Sequence, residues 1–123
     1  MENKLDQLIN QIPDRFTVNS QTYIVSLERE VNLDGKPQLG IVDLHKVNSQ
    51  MKIAMTLGED HPVDKAQILN TYYHELFHVL LTHACIPDEE VVVQSLANLF
   101  MQYELGKEYN PDESRMLPES TRN

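Results

Sequence analysis

The chain reads as an α+β domain in which a small, mostly antiparallel sheet packs on a long helix that is followed by a second helix. Three observations point there. Apolar spacing changes from helical to alternating after Pro13 and returns to helical beyond Pro62. Short turn signals, Asn19-Ser20-Gln21 and Asp34-Gly35-Lys36-Pro37, separate the alternating runs. The segment Asp64 to Ala84 contains neither Gly nor Pro and is long enough for about six helical turns.

Taken in order, Leu5, Leu8, Ile9 and Ile12 recur at helical spacing before Pro13, so a short amphipathic helix opens the chain. Phe16 to Val18 and Tyr23 to Leu27 are expected as strands around the first turn. Leu39 to Leu44 makes a third, and Met51-Lys52-Ile53-Ala54-Met55 alternates well enough for a fourth. Turns this short favour antiparallel neighbours. His61-Pro62 is expected to start the long helix, since Pro is tolerated in a first turn. Ile86-Pro87-Asp88 breaks it, and Glu89 to about Leu105 forms the last helix. Residues 1–107 are read as one domain, and 108–123, with Pro111, Pro118 and many polar residues, as a flexible tail.

Composition narrows the function classes. With 123 residues the chain can build one core but not two. Its net charge of −9 argues against a duplex nucleic-acid surface, because phosphate binding relies on clustered Lys and Arg. No apolar run reaches about 18 residues, and Met1-Glu2-Asn3-Lys4 leads into a polar helix, so neither a membrane span nor a signal peptide is expected. The lone Cys85 leaves no internal disulfide and fits a reducing compartment. A cytoplasmic protein is the expectation.

One stretch names a chemistry: His74-Glu75-Leu76-Phe77-His78. Residues four apart lie one above the other on a helix, so both imidazoles leave the same face. At that spacing two neutral His nitrogens hold one Zn²⁺, and Glu75 sits beside the open position as general base. Two His leave such a zinc one protein ligand short. A third His three turns on is absent, because Leu81 and Ala84 stand where HExxHxxGxxH needs Gly and His. His83 is nine residues past His74 and points to about the opposite side, so it is read as a surface or helix-end residue.

The third ligand is therefore sought on the next helix, at Glu89 or Glu90, eleven and twelve residues beyond His78. From Glu89 one face continues through Val93, Leu96 and Phe100, a core stripe. From Glu90 it continues through Gln94, Ala97 and Met101, one polar and one small position, which suits a metal-facing side. Phase favours Glu90, with Glu89 the alternative. Gln94 is placed to hydrogen-bond a ligand imidazole, and Ala97 to let the helices approach. Asn70 and Thr71, one turn before His74, are cleft candidates or plain helix surface. Tyr72 shares a face with Leu69, Leu76 and Val79 and is assigned to the core, and Tyr73 is left open. His45 and His61 stand isolated.

With these residues in view, Gln67 to about Tyr103 resembles the small zincins of phages and bacteria, nearest to the ImmA/IrrE-type metallopeptidases. The resemblance rests on His-Glu-Leu-x-His, the acidic helix start, and Leu96-Ala97-Asn98-Leu99-Phe100, which is similar to the Ala-Asn-x-Phe stretch of that family. One departure is Gln94, where the family usually has an acidic residue. The resemblance implies a minimal zincin fold, zinc bound by His74, His78 and Glu90, and hydrolysis of a peptide or protein substrate. In zincins an edge strand flanks the metal cleft, and Met51 to Met55, the last strand before the motif helix, is the candidate to pair with substrate. The alternatives are a zincin-like metal-binding or interaction module without turnover, and an interaction protein whose two His are incidental.

Overall fold

The computed structural model describes residues 3–44, 48–58 and 61–108, so His45 and the tail beyond Glu108 lie outside the described residues. Helix α1 (Lys4–Asn10) starts at Asn3, whose side chain accepts from the Asp6 amide at 2.8 Å. Strands β1 (Arg15–Val18) and β2 (Gln21–Glu28) form an antiparallel hairpin. Its two turn residues, Asn19 at φ 49° and Ser20 at φ 68°, take the left-handed conformation that matches strand twist. A second hairpin joins β3 (Val31–Leu33) to β4 (Lys36–Gln38) through Asp34 at φ 53° and Gly35 at φ 77°. The turn was legible, but its flanking strands are three residues each and mostly exposed, too short to show alternation.

Strands β5 (Gly40–Val42) and β6 (Asn48–Ala54) complete the main sheet, whose order is β1-β2-β6-β5. The sheet is mostly antiparallel, with one parallel pair, and one expectation needs correcting here. The pairing of β2 with β6 is parallel, from Thr22 opposite Asn48 to Glu28 opposite Ala54, although both other pairings are antiparallel. Consequently β6 is an inner strand and not the edge. Its main chain is paired on both sides, and Met51, Ile53 and Ala54 are at most 1% exposed. The β3–β4 excursion carries the chain past the sheet, so β5 returns on the outside and becomes the edge.

Helix α2 (Lys65–His83) lies across the sheet, and α3 (Glu90–Gly106) packs on α2. The α2 start also needs correction. Pro62 bridges to Thr56, and the N-cap is Asp64, which accepts from the Gln67 amide at 2.8 Å. At the other end Ile86 donates to the Leu81 carbonyl and Cys85 to that of Thr82, with Cys85 at φ 60°. This double closure ends helices in a left-handed residue, and Pro87 then prevents continuation. Tyr23, Val25, Met51 and Ile53 from the sheet meet Leu69, Tyr72, Tyr73 and Val79 from α2 and Ala97 from α3. Each fully buried Leu, Ile, Val or Met there stabilises by about 1.5–3 kcal/mol. That core fixes which α2 face is left for chemistry.

Candidate metal centre

His74 and His78 project from the α2 face that the core does not take, with ring centroids 5.0 Å apart. Glu90, at the first turn of α3, reaches both: Oε2 lies 3.0 Å from His74 Nε2, and Oε1 lies 2.8 Å from His78 Nε2. These three side chains offer donor atoms within 4.8 Å of one another, a group able to hold a metal ion. Glu89 instead occupies the N-cap position of α3 and makes no capping bond with its side chain. Helix phase separates the two. Val93, one turn after Glu89, is fully buried, while Gln94, one turn after Glu90, faces His74.

The outer ring nitrogens are occupied as well. His74 Nδ1 is 2.7 Å from Gln94 Oε1, and His78 Nδ1 is 2.8 Å from Asp88 Oδ2. With acceptors in both places, a neutral ring carries its proton on Nδ1 and turns its Nε2 lone pair towards Glu90. Burial lowers the affinity of His78 for a proton, but the Asp88 hydrogen bond and the charges of Glu75, Glu90 and Asp88 raise it by more. The same hydrogen bond holds the Asp88 carboxyl below its ordinary range. Asp88 was missed in the sequence because it sits in the break between helices, where a carboxylate reads as a helix start.

Glu75 is 8% exposed, on the α2 side facing the edge strand. Burial pushes its carboxyl up, the two imidazoles pull it down, and Glu90 pushes it up again, for a net rise. Two clefts, of about 810 and 550 Å³, meet at Gly40, Glu75 and Glu90. Together they follow the chain from Pro37 to Leu44, so the groove runs along β5. Gly40 is the residue that permits this. A Cβ there would stand 2.6 Å from Thr71 Cγ2, so only glycine lets β5 lie this close to α2. Nothing in the sequence marked Gly40, because its requirement comes from a helix thirty residues away.

The remaining candidates fall into place around this centre. Asn70 accepts from Gln94 at 2.9 Å, and buried Thr71 interacts with Gln67 at 3.1 Å. Of the expected substrate strand only Lys52 reaches the groove, while Met51, Ile53 and Ala54 are core and Met55 lies past the end of β6. Tyr72 and Tyr73 are core, and burial pushes both hydroxyls up to about 12. His83 sits far from the pair, bonded to the Tyr23 hydroxyl at 2.7 Å, and His61 is exposed. Among the described residues no helix is long and apolar enough to cross a membrane. No model of a protein family, no curated protein and no solved structure matches the chain.

Proposed function

We propose that this chain is a zinc-dependent peptidase of the zincin kind, with His74, His78 and Glu90 as metal ligands and Glu75 as general base. One observation carries the reading: all four nitrogens of the two imidazoles face acceptors. Neutral rings have protons for the two outer acceptors only, so their inner lone pairs would stand against the Glu90 carboxylate. A cation between them removes that repulsion. Two imidazoles and one carboxylate, with a side open to a groove, is the donor set of a catalytic zinc. Zinc bound there would polarise a carbonyl and bring the pKa of water down to about 7.

The chain's own residues account for the rest. Glu75 accepts a proton from the attacking water as its oxygen bonds to the peptide carbonyl carbon. It then delivers that proton to the amine as the carbon–nitrogen bond breaks, leaving a carboxylic acid and an amine. Burial, which raises its carboxyl, matches a base that must also act as an acid. The edge strand supplies the substrate track. Leu39 and Asp43 bond to β6 through Ala54 and Gln50, so by antiparallel alternation Gly40 and Val42 turn their main-chain groups to the open side. An extended peptide adds there as a further strand, which moves the substrate strand from Met51–Met55 to β5.

The resemblance of Gln67–Tyr103 to ImmA/IrrE-type metallopeptidases supports the same reading. A second one, metal binding without turnover, is favoured by Glu90, whose side chain is 75% exposed and which makes a weakly held ligand. Metal analysis and peptide cleavage decide between them. About one zinc per chain, with cleavage abolished in Glu75→Gln, supports the peptidase. Stoichiometric zinc without cleavage of any unfolded protein leaves a binding module, and a metal-free protein that takes up no zinc rejects both.

A further inference from the structure

Two facing pairs, each spaced i, i+4, bridge the long helices. Asn70 and His74 come from α2, and Gln94 and Asn98 from α3. Gln94 Nε2 donates to Asn98 Oδ1 at 2.7 Å and to Asn70 Oδ1 at 2.9 Å, while Asn70 Nδ2 donates to Asn98 Oδ1 at 3.0 Å. We propose that Asn70, Gln94 and Asn98 form an amide relay that positions His74 for metal capture. The proposal rests on the metal reading above and adds the part played by the uncharged side chains.

The relay works through the two ends of one amide. Both Gln94 hydrogens are taken by the carbonyl oxygens of Asn70 and Asn98, so the end left for His74 is the oxygen. An amide oxygen only accepts. His74 must therefore donate from Nδ1, which in the neutral ring leaves Nε2 as the lone pair on the Glu90 side. Gln94 thus has a defined task that glutamate would perform differently: a carboxylate also accepts from Nδ1 but offers no hydrogens to Asn70 and Asn98. The two imidazoles are held unequally, His78 by the carboxylate of Asp88 and His74 by a neutral amide. Asn98 touches neither imidazole, so its influence on the metal passes through Gln94.

Zinc titration against a chromophoric chelator, with apo-protein melting as the fold control, tests the relay in four versions of the 123-residue chain. Gln94→Leu keeps the bulk but removes the acceptor, and its zinc affinity should fall about 10- to 100-fold. Gln94→Glu restores an acceptor and should bind more tightly than the Leu variant. Asn98→Ala should bind more weakly than the parent but better than Gln94→Leu. A role confined to packing would rank Leu and Glu equal, or Leu higher, with affinity tracking apo stability; that ranking overturns the relay while the metal site stands. Gln94→Leu binding as tightly as the parent overturns it too. A parent that takes up no zinc overturns the relay together with the metal reading.

Discussion

Replacing Gly40 with alanine tests how the groove is built, and its cost can be worked from distances. The added Cβ would meet Thr71 Cγ2 at 2.6 Å, the Lys52 carbonyl oxygen at 3.1 Å and Glu75 Cγ at 3.5 Å. Carbon atoms pack at about 3.5–4.0 Å, so roughly 1 Å of movement is required. Lys52 belongs to an inner strand and cannot retreat, and Thr71 is buried. Either β5 lifts off α2 or the Thr71 side chain leaves its place. Overpacking of this kind costs about 1–3 kcal/mol. At about 2 kcal/mol, Tm should fall by roughly 6–10 °C for a chain of this length. Thr71→Ser removes Cγ2 and keeps the hydroxyl at Gln67, and alone it should cost about 0.5–1.5 kcal/mol. In the double variant the 2.6 Å contact is gone and only the tighter approach to the Lys52 carbonyl remains, so urea unfolding of the four proteins should show a favourable coupling of about 1 kcal/mol or more. If Gly40→Ala is as stable as the parent, or the two effects add within about 0.5 kcal/mol, the close approach is not what Gly40 provides.

Other substitutions probe the remaining parts. Glu75→Gln should keep zinc and fold while losing cleavage by about 10²-fold or more, since the amide accepts no proton; unchanged turnover removes Glu75 as the base. Glu90→Ala should weaken zinc by orders of magnitude, whereas Glu89→Ala should leave affinity close to that of the parent; a titration in the reverse order would move the ligand. Val42→Pro deletes an outward N–H and should abolish peptide binding at a cost in stability limited to its share of core packing, while Ile41→Pro should cost more by breaking the ladder to Lys52. Equal melting temperatures for the two proline variants would reject the assigned strand alternation. Cys85→Gly should stabilise the apo protein by about 0.5–1 kcal/mol, because a side chain at φ 60° is strained; a lower Tm would contradict this.

Legibility in the sequence followed the range of the interaction that decides each feature. Helix phase is local: the spacing of His74 and His78, and the offset between Glu89 and Glu90, put the right side chains together because 3.6 residues per turn acts over a few residues. The C-terminal end of α2 was legible for the same reason, with Ala84 as its cap, whereas its start falls at Asp64 and not at His61-Pro62, because Pro62 is held in a bridge to Thr56. Strand order is not local. Met51 to Met55 has the alternation of a half-exposed edge, yet it lies between β2 and β5, because sheet order depends on where the β3–β4 excursion sends the chain. Asp88 was missed for a third reason: it reaches the His78 imidazole from the break between two helices and has no spacing from His74 or His78 that one helix would impose. The candidate site therefore divides cleanly. The atoms that would touch a metal, and Gln94 behind His74, are set by helical repeat and can be read from the chain, whereas the groove and the Asp88 contact to His78 exist only once α3 and β5 have docked on α2.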